Sequence, residues 1–268
     1  MVFFLVVGTG LPAALKTVSE RRIRNHSEIS CLGKGRPRPV PASLPLIGIT
    51  PDIGNGRVRL SRAYEVAVSA AGGLPIALLP VQRNVAELLD RCDGVILSGG
   101  DDPIMETWGR PTHPQADKVD SDRQEFDVAV YQHAREMGMP VLGICLGMQI
   151  IGLESGAELN QHLPDSCPTA ANHARGQLHP VSGSLGQGQV HSRHHQALRT
   201  PGRCDVVATA DDGLIEAIRD SSAEFCLGVQ WHPERSGAGA LGSAIFEQFV
   251  SAAARYRGMH QESNHATE

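Results

Sequence analysis

Apolar and polar positions alternate in a regular order from residue 44 onward. Helical patterns include one capped by Ser61, a short one over 85–89, and one that opens at Asp120 or Ser121 and continues to about Met137. Four apolar runs have the length of buried strands, at residues 46–50, 75–79, 94–97 and 141–144. Strands and helices that alternate at these lengths predict a parallel sheet covered by helices on both faces.

The second half of the chain has a different pattern. Residues 205–210, 214–219 and 225–230 are predicted strands, and an amphipathic pattern over about 240–255 predicts a closing helix. We therefore expect an α/β domain over residues 44–256 with a β-rich C-terminal half. A polar tail over 257–268 is expected to follow it.

Residues 1–43 are expected to be an extension or linker outside this domain. Their apolar start, residues 1–11, resembles the apolar region of a signal peptide but lacks a preceding basic region. Three prolines within residues 37–41 favour an extended linker. A non-native or mispredicted extension is therefore preferred over an export signal.

The composition excludes several classes of protein. The net charge of -5 gives no basic surface for nucleic acid, and no apolar run reaches the length of a transmembrane helix. The six cysteines are dispersed and form no Cys-x-x-Cys pair, which favours a reducing compartment. We expect a cytoplasmic protein that binds neither nucleic acid nor membrane.

Cys145 is the strongest candidate for chemistry. It follows the predicted strand 141–144 and lies between Gly143 and Gly147, the spacing of a strand-to-helix elbow with cysteine in place of serine. Small neighbours are needed because the nucleophile occupies strained backbone space. The helix that follows directs its N-terminus towards the sulfur and favours the thiolate. A buried structural thiol would need neither glycine, so a nucleophile is the preferred interpretation.

Two further motifs follow predicted strands. His232-Pro233-Glu234 comes after the strand at 225–230, and the spacing lets Glu234 orient the imidazole of a base. Gly99 and Gly100 follow the strand at 94–97. They are either a plain turn or, with the amide of Leu146, an oxyanion pocket.

The histidines at 173, 179, 191, 194 and 195 raise the question of a zinc site. Their spacing matches neither a helical His-Glu-x-x-His motif nor a cysteine-containing zinc motif. The preferred interpretation is that they are pocket-lining or solvated loop residues, with no metal.

Together these motifs resemble the class I glutamine amidotransferase-like superfamily, and within it the gamma-glutamyl hydrolases similar to gamma-glutamyl-gamma-aminobutyrate hydrolase. The matching pieces run in family order over most of residues 44–256. They are Ile47-Gly-Ile-Thr-Pro, Ala71-Gly-Gly-Leu-Pro, Leu97-Ser-Gly-Gly-Asp, Gly143-Ile-Cys-Leu-Gly-Met-Gln, Ser192-Arg-His-His-Gln, Asp212-Gly-Leu-Ile-Glu-Ala and Gly228-Val-Gln-Trp-His-Pro-Glu.

The resemblance implies a flavodoxin-like fold, with a parallel-core sheet flanked by helices and a β-rich C-terminal half. It implies a Cys145, His232 and Glu234 triad and an oxyanion pocket at Gly99, Gly100 and Leu146. Three further positions match residues that line the glutamyl pocket of related enzymes: Gln149, His194 and Gln196. Leu146 departs from the arginine that hydrolases of this group often carry.

The function expected from this resemblance is hydrolysis of a gamma-glutamyl amide through a thioester on Cys145. The partner is a small-molecule substrate, no metal or other cofactor is required, and a homodimer is left open. One alternative is a glutaminase subunit that supplies ammonia to a separate synthetase. A second is an inactive relative that binds a metabolite as a regulator.

Overall fold

The computed structural model describes residues 43–265. The predictions made for residues 1–42 and 266–268 lie outside the described residues. None of the helices in the described part carries an apolar stretch long enough to cross a membrane.

One large mixed sheet organises the described residues. Its order is β4-β1-β5-β6-β13-β12-β11-β8-β9, with β4 to β13 parallel and the remaining strands antiparallel. The parallel core and the β-rich second half predicted from the sequence are therefore confirmed. The strands of this sheet are β1 Leu46–Ile49, β4 Leu74–Ala77, β5 Gly94–Leu97, β6 Val141–Ile144, β8 Gln177–Gly183, β9 Gly186–Ser192, β11 Asp205–Ala210, β12 Ile215–Arg219 and β13 Cys226–Val229.

Helices cover both faces of the sheet, and each face has its own apolar core. Tyr64 and Val68 of one helix join Phe246 and Phe249 of the C-terminal helix on one face. Three other helices contribute to the core of the opposite face. The helices are α1 Arg62–Ala70, α2 Val85–Leu89, α3 Ser121–Glu136, α4 Leu146–Glu154 and α5 Ser243–His265.

The predicted helix starts are set by side-chain caps. Ser61 Oγ accepts from the amide of Ala63 at the start of α1, and Asp120 Oδ1 accepts from the amides of Asp122 and Arg123 at the start of α3.

Four short strands form two separate two-stranded sheets. In one, β2 Asp52–Gly54 pairs with β3 Arg57–Arg59, and in the other, β7 Leu159–Asn160 pairs with β10 Ala197–Leu198.

The C-terminal boundary differs from the prediction. The closing helix, predicted over about 240–255, continues to His265, so residues 257–265 of the expected polar tail are helical. The side chain of Arg257 extends the packing by donating to the backbone carbonyls of Ser43 and Leu44. The rings of Tyr256 and His260 contact each other in a tilted arrangement, with centroids 4.0 Å apart.

Candidate active site

Cys145 lies where β6 ends and α4 begins, in the backbone geometry expected of an elbow. Its φ of 54° and ψ of -105° fall in the region that side chains rarely adopt. A Cβ on Gly147 would lie 2.2 Å from the carbonyl oxygen of Leu97, and one on Gly143 would lie 2.6 Å from the backbone of Gly147. Gly147 is therefore required for the close approach of the elbow to β5, and Gly143 for the close packing of β6 against the start of α4.

The sheet brings His232 to the same edge as Cys145. Residues Val229 and Ile144 are partners across β13 and β6, and the amide of Cys145 donates to the carbonyl of Val229 at 2.8 Å. The predicted residues Cys145, His232 and Glu234 are thus gathered from two neighbouring strand ends. His232 Nδ1 lies 2.8 Å from Glu234 Oε1, and the Glu234 side chain is fully buried.

The pKa of His232 is raised to about 9. Burial alone would lower it, but hydrogen bonds and charge interactions with Cys145 and Glu234 outweigh that effect. The imidazolium is therefore the form present at neutral pH, placed where it stabilises negative charge on the sulfur.

The backbone amides of the predicted oxyanion pocket are not equivalent. The amide of Gly99 donates to the hydroxyl oxygen of Tyr64 at 3.0 Å. The amides of Gly100 and Leu146 have no hydrogen-bond acceptor among residues 43–265. Leu146 is the first residue of α4, where an amide has no partner within the helix. A Cβ on Gly99 would lie 3.0 Å from His232 Cε1, so this glycine makes room for the imidazole.

The loop that contains Gly99 is bound by a buried arginine, and the sequence analysis did not predict a role for this residue. Arg123 lies in α3 with a fully buried side chain, and its Nη2 donates to the carbonyls of Ser98 at 3.0 Å and Gly99 at 3.2 Å. Asp127 and Asp52 balance its charge at 3.3 and 3.2 Å. Nothing in the sequence distinguishes this arginine from one on the solvent face of a helix.

A second missed residue lies beside the thiol. Gln230 is fully buried, and its Nε2 lies 3.6 Å from Cys145 Sγ. Its Oε1 accepts from Gln149 Nε2 at 3.2 Å. Gln230 therefore links Cys145 to Gln149, the residue that was predicted to line the glutamyl pocket. Its place two residues before His232 is the only available sequence signal.

These groups open into a cavity of about 910 Å³. Its lining includes Cys145, His232, Gln149, His194 and Gln196, so the structure brings together most of the predicted site residues. It also carries charges of both signs, and these residues are Asp52, Asp101, Asp102, Asp117, Arg59, Arg175, Arg193 and Arg235.

The histidines divide into two sets. His191, His194 and His195 line the cavity, as expected. For His173 and His179 the expectation of pocket-lining or loop positions is wrong, because both are buried with His194 around the carboxylate of Glu216. Burial raises the pKa of Glu216, but its interactions with the surrounding histidines, above all with His194, lower it to about 2.

The family profile of peptidase C26 matches residues 45–234, a region that contains Cys145, His232, Glu234 and the histidine cluster. The chain belongs to the peptidase C26 family. This family places it among hydrolases of the class I glutamine amidotransferase-like superfamily, as the motifs predicted.

Several relatives are similar to this peptidase C26 chain over most of its length. A Mycobacterium tuberculosis protein, named provisionally as a glutamine amidotransferase, is 32% identical over 83% of this chain and 79% of its own. Gamma-glutamyl-gamma-aminobutyrate hydrolase PuuD of Escherichia coli is 29% identical over 74% of this chain and 88% of its own.

A solved structure shows the same fold at low sequence identity. The glutaminase domain of Trypanosoma brucei CTPS is 15% identical and has a TM-score of 0.53. The match covers 78% of this peptidase C26 chain and 94% of that domain. The likeness confirms the fold that was predicted from the motifs.

Proposed function

We propose that this protein hydrolyses the gamma-glutamyl amide bond of gamma-glutamyl amines or peptides and releases glutamate through a thioester. The observation that carries the proposal is the meeting of Cys145 and His232 in the wall of a large cavity, with the buried carboxylate of Glu234 bound to the His232 imidazole. A strained cysteine beside an imidazole that a carboxylate orients is the arrangement of an activated nucleophile. The resemblance to PuuD supports the gamma-glutamyl substrate class.

The reaction begins with attack of the Cys145 thiolate on the gamma-carbonyl carbon. The free amides of Gly100 and Leu146 are the donors best suited to the developing oxyanion, since the Gly99 amide already donates to Tyr64. The His232 imidazolium donates its proton to the departing amine, which leaves the thioester. His232 then takes a proton from water, the hydroxide attacks the thioester carbonyl, and glutamate is released.

The charges of the cavity fit the glutamyl end of such a substrate. A gamma-linked glutamyl group keeps a free α-carboxylate and a free α-ammonium, which need opposite charges in the site. The arginines at 175, 193 and 235 and the aspartates at 52, 101 and 102 line the same cavity. The buried Oε1 of Gln196 has no hydrogen-bond partner among the described residues and is a further acceptor.

The first prediction tests the nucleophile. The purified chain is incubated with a panel of gamma-glutamyl amines and with glutamine, and release of glutamate and ammonia is measured. Cys145→Ala is expected to lower kcat by more than about 10³-fold, because no other group can form the thioester. Cys167→Ala is the matched control, since this half-buried thiol lies outside the cavity lining.

The outcomes separate the alternatives. Retained turnover in folded Cys145→Ala protein would contradict the proposal. Ammonia release from glutamine that rises only with an added synthetase partner would favour a glutaminase subunit. An active-site-directed glutamine-analogue electrophile that leaves Cys145 unmodified would favour the inactive regulator.

A further inference from the structure

Four buried side chains converge around the carboxylate of Glu216, and one of them, His194, also lines the cavity. His173 ends a short 3-10 helix at 170–173, His179 lies in β8, and His194 follows β9. The fourth, Glu216, lies in β12. None of the four side chains is more than 5% exposed.

The outer nitrogen of each histidine is held by an acceptor. His173 Nε2 lies 2.8 Å from Asp212 Oδ2, and His194 Nδ1 lies 2.8 Å from the carbonyl of Gln196. His179 Nδ1 lies 3.2 Å from the carbonyl of Pro180. Carbonyl and carboxylate oxygens only accept, so each outer nitrogen carries a hydrogen, and a neutral ring would have its lone pair on the inner nitrogen. The inner nitrogens of neutral rings then present lone pairs to one another.

Glu216 adds a carboxylate to this ring of acceptors. Five inner atoms lack a well-aligned hydrogen bond from any described residue: His173 Nδ1, His179 Nε2, His194 Nε2 and both carboxylate oxygens of Glu216. Buried acceptors left unpaired are costly, and those of the same sign repel one another. Positive charge at this point would satisfy these acceptors, either as a bound cation or as protons on the histidines.

The distances identify the coordination that a bound cation would have. Glu216 Oε1 lies 3.2 Å from His173 Nδ1, 3.6 Å from His179 Nε2 and 3.4 Å from His194 Nε2. Zinc bonds of about 2.0–2.1 Å to four ligands in a tetrahedron space those ligands about 3.3 Å apart. All four ligand atoms lie within 4.8 Å of one another, so the most widely separated pair would approach by up to about 1.5 Å to close around an ion.

We propose that His173, His179, His194 and Glu216 bind one zinc ion in a closed tetrahedral site. Three neutral imidazoles and one carboxylate suit zinc, and a buried set of four protein ligands is typical of a structural site. Asp212 and the carbonyls of Pro180 and Gln196 supply the outer contacts that orient metal-binding histidines.

The ion would link the loop that contains His194 to strand β12, which contains Glu216. His194 precedes His195 and Gln196, which line the cavity, while Glu216 belongs to β12 beside the strand that leads to His232. Both nitrogens of His194 would then be occupied, one by the metal and one by Gln196. His194 is therefore assigned to positioning the wall instead of contacting the glutamyl group.

Metal analysis of the full chain tests this site directly. The protein is purified without added chelator or affinity metal, and zinc per chain is measured by inductively coupled plasma mass spectrometry. We expect about one zinc per chain, and after exchange for Co²⁺ we expect the visible absorption of a tetrahedral cobalt site. Protein that holds no zinc and takes up none when Zn²⁺ is added would overturn the proposal and would indicate protonated histidines instead.

Two variants and a control locate the ion. His179→Ala is expected to lose bound zinc, and Asp212→Asn, which keeps the ligands, is expected to weaken zinc affinity by about 10- to 100-fold. His162→Ala is the matched control, because His162, His113 and Asp165 form a second, more exposed group that could bind a metal. Zinc lost from the His162 variant and kept by the His179 variant would overturn the assignment.

Discussion

Two groups of histidine and buried glutamate lie on the same sheet and differ in the use of the second imidazole nitrogen. At the strand ends, His232 binds Glu234 through Nδ1 and interacts with Cys145 at the cavity. In the antiparallel half, each histidine fixes its outer nitrogen on an acceptor and directs the inner one to Glu216.

The difference shows what decides the chemistry of a histidine beside a carboxylate. A ring with one nitrogen oriented and the other facing a thiol can move a proton. Rings whose outer nitrogens are fixed and whose inner nitrogens converge can hold a cation and move nothing. The first group acts on molecules in the cavity, whereas the second group has its inner nitrogens directed to a buried point inside the protein.

The largest expected effect separates the two groups completely. His232→Gln is expected to lower kcat by more than about 10³-fold, because neither the amine nor the water can exchange a proton. Zinc per chain should stay the same in this variant, since His232 is not among the proposed ligands. A loss of zinc together with activity would mean that the two groups are not independent.

The next effect concerns pH. With the pKa of His232 near 9, kcat/KM is expected to fall on the alkaline side as the imidazolium loses its proton. Glu234→Gln removes a charge that raises this pKa, so the alkaline limb should move to lower pH and activity at pH 8 should fall by about 10- to 100-fold. An alkaline limb that stays in place would exclude Glu234 as the partner that sets the pKa.

The same raised pKa has a consequence for stability. The protonated ring stabilises the folded state fully below its ordinary pKa of 6.5, and this contribution is lost as the pH rises through about 9. The Tm difference between the native protein and His232→Gln should therefore shrink between pH 6.5 and 9, as followed by circular dichroism.

The smallest effect concerns the buried amide beside the thiol. Gln230→Leu keeps the volume but leaves Gln149 Nε2 without its acceptor and Cys145 Sγ without its neighbour. We expect kcat to fall about 10-fold and the free energy of unfolding to fall by about 1–3 kcal/mol. Gln132→Leu, at an exposed glutamine bound to Glu154, is the control and should change neither.

The parallel half was predictable because local signals and tertiary structure agree there. Apolar runs, the cap at Ser61 and the glycines around Cys145 each specify one element or one turn. Parallel strands bring their carboxyl ends to one edge, so motifs far apart in sequence could be placed together. The meeting of Cys145 with His232 follows from that rule.

The small hairpin of β2 and β3 was missed although its signal is present. Asn55 and Gly56 both have positive φ, at 53° and 68°, and join two short strands as a two-residue turn. Asn-Gly is the preferred sequence for such a turn. Strands of three residues with exposed or half-buried side chains leave no apolar pattern. The Asn-Gly turn was therefore the only sequence signal for this hairpin.

The cluster of His173, His179, His194 and Glu216 could not be predicted from the spacing of these residues along the sequence. His179 pairs with Val190 across the β8 and β9 hairpin, and this register brings the loop with His194 back to the start of β8. The hairpin lies at the sheet edge and is polar and glycine-rich, so its strands have no clear alternation. The one usable signal was Glu216, a lone carboxylate between the buried residues Ile215 and Ala217.

The backbone conformation of Cys145 sets stability against activity in this protein. A side chain held at φ 54° costs about 1–3 kcal/mol, whereas glycine adopts the mirror-image region without penalty. Replacement of Cys145 by glycine would therefore raise the free energy of unfolding and abolish turnover. Variants selected for heat resistance alone should drift towards that substitution, and only selection for turnover would retain the thiol.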